Sequence, residues 1–196
     1  MSEISLLKLQ NTAALSIDNK EVERYLRVYK SEAVLENLIS ESIKEVQKVA
    51  SLNAVFLKTV VLVKNEEIKL DFDTIKSENL SKNLFSCKEA YVFCATIGIE
   101  VDRLIKKYSK IEPSRAMVID SVASALVESF CDYINDFLAK DKELSPRFSC
   151  GYGDFEIQHQ ASILNALDAS KKIGVTLSDS YMMTPSKTVT AIVGIK

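Results

Sequence analysis

Apolar residues near the start of the chain recur with a helical period. Val22, Tyr25, Leu26 and Tyr29 are spaced three or four apart, behind Asp18 and Asn19, which can cap a helix. This spacing predicts a helix over residues 20–29. Val34, Leu35, Leu38, Ile39, Ile43, Val46, Val49 and Ala50 keep the same period and predict a second helix over 31–52. Residues 2–17 read as irregular or as a short strand. The pattern then changes. Residues 55–63 are rich in β-branched side chains, Lys64-Asn65-Glu66 is a turn candidate, and Ile68, Leu70 and Phe72 alternate. That is the pattern of a β-hairpin.

Further on, residues 77–85 read as a short helix and 89–95 (EAYVFCA) as a buried strand. Gly98 breaks that strand into a helix over 99–109, and Pro113 opens a long helix ending near Ala139. Residues 146–154 are irregular, 158–173 are helical, and Gly174 stands at the expected C-cap. Residues 177–183 and 188–195 read as strands. The fold class is α+β, a mostly antiparallel twisted sheet flanked by helices. One module over residues 1–196 is expected, with an N-terminal helical part over about 1–52.

Composition narrows the function classes. Of the 196 residues 47% are hydrophobic, enough for a sizeable core. Lys plus Arg is 25 against 27 Asp plus Glu, a net charge of −2. That balance shows no basic footprint for nucleic acid and no polybasic membrane signal. Residues 1–9 include Glu3 and lack the apolar run of a secretory leader, so the expected location is cytoplasmic. Four cysteines without paired spacing read as reduced thiols, and a single histidine leaves almost no material for a His-based metal site or a Ser-His-Asp triad.

Three constellations can carry chemistry. On the long helix, Ile119, Val122, Ala123, Leu126, Phe130, Ile134 and Phe137 form an apolar stripe, while Ser121, Ser124, Ala125, Glu128 and Asp132 occupy another face. That face is either a close-approach surface with a carboxylate for an ammonium or a ribose hydroxyl, or a plain solvated face. The second constellation is RFSCGYGD, residues 147–154. Arg147 can grip a carboxylate with two parallel hydrogen bonds, Gly151 and Gly153 permit unusual backbone, and Tyr152 offers an aromatic face to a cation. A tight structural turn with a surface Arg is the alternative. Third, Met182 and Met183 before Pro185 either line an apolar surface or pack in the core. His159 reads as a helix-surface residue.

Taken together these segments resemble the activation domain of cobalamin-dependent methionine synthase in its free-standing form. The run from Arg147 onward matches the family's R-x-x-x-G-Y motif, and LDASKKIGVTLSDSYMMTPSKTVTAIVGI is similar to its later "iGv-Lt-Sy-M-P" and "S-V-aiiGi" segments. CKEAYVFCATIG resembles the family's strand and turn, IDSVASALVESF its Glu-bearing helix, and IDNKEVERYL the start of the free-standing form. Cys150 stands where the family often has Pro. The full-length synthase domain continues beyond the position of Lys196 and supplies another aromatic ligand contact there.

The resemblance implies that Arg147, Ser149 (through its backbone), Gly151 and Tyr152 contact S-adenosylmethionine, with Glu128 facing the ligand. It implies no catalytic acid or base and no metal site in this chain. Cobalamin would be carried by a partner, a cobalamin-binding methionine synthase or related corrinoid protein, with a flavodoxin-like reductant. Oxidised cob(II)alamin would be reduced and then methylated by S-adenosylmethionine. The chain would be a component of methyltransferase activity rather than a self-sufficient enzyme. A module for another corrinoid methyltransferase, or a non-catalytic interaction subunit, are the competing readings.

Overall fold

The structure, a computed structural model, describes residues 3–28, 33–140 and 142–196. Strand β1 (Ser5–Leu9) precedes helices α1 (Asn19–Leu26) and α2 (Ala33–Val49). Strands β2 (Leu52–Val60), β3 (Leu62–Lys64), β4 (Glu67–Lys69) and β5 (Thr74–Lys76) lead to helix α3 (Glu78–Leu84). Then come β6 (Glu89–Thr96), α4 (Ile99–Ile111) and α5 (Pro113–Ala139). After a loop follow α6 (Gln160–Ala166), α7 (Ala169–Ile173), β7 (Thr176–Leu177), β8 (Met183–Thr184) and β9 (Thr188–Ile195).

The main sheet is antiparallel throughout, in the order β1-β2-β6-β9. Its central strands are buried on both faces. Phe93 and Ala95 of β6, with Ala191 and Val193 of β9, face a core built with α1, α2, α4 and α5. Val92 and Cys94, with Ile192, face a second core shared with α3, α6, α7 and the small sheet β3-β4-β5. Strand side chains alternate between faces, so a strand buried on both sides reads as a continuous apolar run, as 89–95 does. Each fully buried large side chain of this kind contributes about 1.5–3 kcal/mol. The expected α+β class with an antiparallel sheet flanked by helices is the architecture observed.

Local signals account for most element ends. Asp18 Oδ1 accepts the Lys20 N–H at 2.9 Å, and Arg27 ends α1 with φ 57. Tyr29, Ser31 and Glu32, which the sequence places in the first two helices, lie outside the described residues. The N-terminal part is not only helical, because β1 forms an edge of the main sheet. Ser77 caps α3, its Oγ accepting the Leu80 N–H at 3.0 Å.

Three expectations are corrected. Residues 55–63 are not one strand of a hairpin. β2 pairs with β1 and β6, the chain turns at buried Val61, and only β3 pairs with β4 across a two-residue turn at Asn65-Glu66. Asp71 bridges this corner, accepting from Thr59 Oγ1 at 3.0 Å and from Val60 N at 3.2 Å. Residues 158–173 are not one helix. A 3-10 turn at Ile157–His159 precedes α6, and Asp168, with φ 49, separates α6 from α7. Residues 177–183 are not one strand either, because β7 and β8 are two-residue arms of a hairpin closed by Ser178 N–H on Met182 O and Tyr181 N–H on Ser178 O.

β9 passes very close to α3. A Cβ on Gly194 would lie 2.4 Å from Cys87 Sγ and 2.9 Å from Leu84 Cδ2, both in buried side chains. Gly194→Ala is therefore expected to destabilise the fold by about 1–3 kcal/mol through overpacking. The urea midpoint should fall at constant m, and adding Cys87→Ala should recover part of the loss. An unchanged midpoint for the single variant would show that α3 gives way freely.

Candidate functional site

Residues 144–148 are laid along the free edge of β9. Leu144 bridges Ile195 and Phe148 bridges Ile192, with Phe148 N–H donating to Ile192 O at 3.0 Å and Ile192 N–H donating back at 2.9 Å. Phe148 packs into the second core, its ring 6.3 Å from that of Phe155. Alternation along extended backbone then turns Arg147 to the opposite side, towards α5.

There Arg147 Nη1 donates to Asp132 Oδ1 at 2.6 Å and Nη2 to Glu128 Oε2 at 3.1 Å. Burial works against the charge of this guanidinium, but the hydrogen bond to Asp132 and the nearby negative groups outweigh it and raise its pKa. Glu128 and Asp132 are themselves largely exposed, 46% and 71%. Because both carboxylates remain in reach of water, a competing carboxylate can replace them at the guanidinium without leaving a buried charge unpaired.

After Phe148 the chain makes a tight turn, with Tyr152 N–H on Ser149 O at 3.2 Å and Gly151 N–H on Phe155 O at 2.7 Å. Gly151 (φ 84) and Gly153 (φ 57) both lie where a side chain is strained. The loop's end is tied down by Asp154, which accepts from Ser77 Oγ and Glu78 N at 2.6 Å each and from Asn79 N at 3.2 Å. These donors open α3, so Asp154 caps that helix from a distance of about 75 residues along the chain.

Two hollows meet at this loop. One, of about 370 Å³, is lined by Tyr152, Gln160, Tyr181, Met183 and Val189 among others, with Glu128 and Ser149 at its border. The other, of about 660 Å³, lies between α1 and α5 and is lined by Asp18, Glu21, Arg24 and Asp132. Glu128 and Tyr152 border both. A further hollow of about 570 Å³ around Ile105 and Met117 holds none of the five residues singled out in the sequence.

Of those five, Glu128, Ser149 and Tyr152 line one cavity, Arg147 is hydrogen-bonded to Glu128, and Gly151 forms the turn that presents Tyr152. Of the small residues of α5, Ala125 lines the hollow between α1 and α5, while Ser121 lies at the further hollow around Ile105 and Met117. Ser121 and Ala125 are buried, and Ser129 Oγ donates to Ser16 O at 2.9 Å, so the N-terminal segment leans on this face. Met182 is 68% exposed beside the cavity rather than packed in the core, while Met183 is half-buried. His159 is not a plain surface residue. Its Nδ1 lies 2.8 Å from Asp73 Oδ2 and its ring rests on Phe155 at 5.7 Å. Cys150 lines the cavity as a free thiol, and burial, with Asp73 nearby, pushes it up to about 12, so it is a poor nucleophile at neutral pH.

Sequence reading missed Lys187 and Gln160. Lys187 Nζ donates to Ser124 Oγ and pairs with Asp120, each at 2.9 Å. Ser186 meanwhile donates to Asp102 from N at 2.8 Å and from Oγ at 2.7 Å. Together they fasten the β8–β9 connection to α4 and α5 and so fix one cavity wall. Nothing in the local sequence pairs 187 with 120 or 186 with 102.

The fold, an antiparallel sheet with a long helix on one face and a cavity at its edge, is shared with a solved reactivation domain. The crystal structure of the MetH reactivation domain bound to AdoHcy matches with a TM-score of 0.70, over 98% of this chain and 78% of that chain, at 15% identity. The family described as vitamin B12-dependent methionine synthase, activation domain, matches residues 18–195, and the chain belongs to it. Comparison with curated proteins finds no significant match. Among the described residues no helix is long and apolar enough to cross a membrane.

The Asp154 cap gives the loop a pH signature. Hydrogen bonds from Ser77 and from the Glu78 and Asn79 amides hold its carboxyl down at about 2. Because the folded value is depressed, the stabilisation is fully present above the ordinary carboxylate range and is lost as pH falls from about 4 towards 2. Asp154→Asn should flatten that acid limb in chemical denaturation measured at stepped pH. An unaltered limb would mean that the carboxylate does not hold the loop.

Proposed function

We propose that the chain, as one module over residues 1–196, binds S-adenosylmethionine between the 147–154 loop and α5 and supports reductive reactivation of a cobalamin-dependent methionine synthase acting in trans. A cytoplasmic setting, a partner that is a cobalamin-binding methionine synthase or related corrinoid protein, and a flavodoxin-like reductant complete the proposal. Membership of the activation-domain family supports the activity, and the AdoHcy bound to the solved relative supports the ligand class.

The observation that carries the reading is the Arg147–Glu128–Asp132 cluster at the cavity mouth. The amino-acid end of S-adenosylmethionine is a zwitterion. Its carboxylate would take over the Arg147 fork, and its ammonium would take the carboxylates thereby released, so each charge regains a partner. Tyr152, 73% exposed at the junction of the two hollows, would offer its ring face to the sulfonium. Ser149, through its backbone, and Gly151 shape that edge. Bound cobalamin on the partner supplies the cobalt nucleophile, which is the cofactor's own chemistry. The chain's residues bind and orient the methyl donor, and this requires no proton transfer.

Isothermal titration with S-adenosylmethionine tests the reading. Native protein should bind, and Arg147→Ala should weaken binding by on the order of 2–5 kcal/mol. Absence of binding by the native chain, or an Arg147→Ala variant that binds equally well, would overturn the assignment.

A further inference from the structure

Gln160 opens α6 and is 3% exposed, yet it lines the 370 Å³ cavity. Its Oε1 accepts from Thr190 Oγ1 of β9 at 3.3 Å, and Thr190 is likewise buried. In this arrangement the carboxamide oxygen, not its nitrogen, faces Thr190. Its Nε2 hydrogen-bonds no described residue. Nor is it sealed away, since the sealed, unpartnered side-chain atoms among the described residues belong to Ser42, Arg115 and Asn135. Gln160 thus presents two N–H donors inside a cavity, with no protein acceptor to receive them. Water can reach these donors, and a ligand that places an acceptor there can take the water's role.

The surrounding walls narrow the ligand. Tyr152, Ile157, Tyr181, Met183 and Val189 give aromatic and apolar surface suited to a flat ring rather than a charged group. A primary carboxamide next to such surface has a known complement in the adenine edge, where the amide nitrogen donates to N7 and the amide oxygen accepts from N6. Oε1 keeps a second lone pair beyond the one used by Thr190. We infer that Gln160 is a specificity-determining residue, holding the N6/N7 edge of an adenine ring in this cavity with Thr190 as its positioning partner. The inference rests on the proposed S-adenosylmethionine site and assigns its nucleoside end.

The test uses the intact chain and two probes, S-adenosylhomocysteine and its 7-deaza analogue, which lacks the N7 acceptor. Native protein should bind the 7-deaza compound more weakly by roughly 5- to 150-fold. Gln160→Leu should lower affinity for S-adenosylhomocysteine by a similar factor and remove the discrimination. Gln160→Glu keeps an acceptor for Thr190 but loses the donor, and it should behave alike, with thermal unfolding reporting that both variants fold. Native protein that binds both probes equally, or variants that bind S-adenosylhomocysteine as tightly as native, would overturn the role of Gln160 while leaving the site intact. Native protein that binds neither probe would overturn the site itself and this inference with it.

Discussion

The pairing of residues 144–148 with β9 is the constraint on which the site depends. Two reciprocal hydrogen bonds between Phe148 and Ile192 put Phe148 into the second core, and backbone alternation then leaves Arg147 no side to face but that of α5. Ser145 ties the start of the same segment to β9, its Oγ accepting the Gly194 N–H at 2.8 Å and its own N–H donating to Gly194 O. A slip by one residue would exchange Phe148 and Arg147, burying a charge and exposing a ring. The apolar demand of the core therefore sets the direction of the functional guanidinium. The loop beyond is anchored again at Asp154, so 149–153 is a short span held at both ends.

Electrostatics at the site follow from unequal exposure. Arg147 is mostly buried, whereas its partners Glu128 and Asp132 are open to water. The guanidinium needs a partner, and the partners it has keep access to water. Such a pair is stable without ligand and exchangeable with one. Cys94, Cys131 and Cys150 add no reactive group. Burial raises Cys131 and Cys150 to about 12, and it raises Cys94 as well. Binding and orientation are the work these side chains can do.

Much of this was legible in the sequence because it is local. α5 runs over the predicted Pro113–Ala139, the caps at Asp18 and Gly174 are where their residue types place them, and Gly151 and Gly153 do adopt positive φ. The misreadings have non-local causes. Residues 55–63 are uniformly β-prone, so no local signal marks the turn at Val61, which Asp71 stabilises from another segment. Residues 158–173 keep helical spacing, yet Leu167 and Ala169 must both reach the second core, and Asp168 takes left-handed backbone between them. Ser121 and Ala125 are buried although they sit on the face that also carries Glu128 and Asp132, a placement visible only in three dimensions. Lys187 and Gln160 escaped notice because their partners lie 63 to 67 and 30 positions away, respectively.

One long helix thus serves three surfaces. Phe130 and Ile134 belong to the core that includes the sheet, Ser129 receives the N-terminal segment at Ser16, and Glu128 with Asp132 line the hollow beside it. Burial, together with the nearby Glu128, raises the pKa of Tyr25 on α1, a sign of how near α1 comes to the site. The two hollows that share Glu128 and Tyr152 differ in character. The one against α1 is walled by Asp18, Glu21, Arg24 and Asp132, and the one against β9 by Tyr181, Met183 and Val189. A ligand with one zwitterionic end and one aromatic end is matched by that contrast. Under the proposed reading it would lie across the shared wall, with its charged end at Arg147, its ring at Gln160 and the sulfonium beside Tyr152. The asymmetry of the two hollows is then what sets the direction in which the ligand binds.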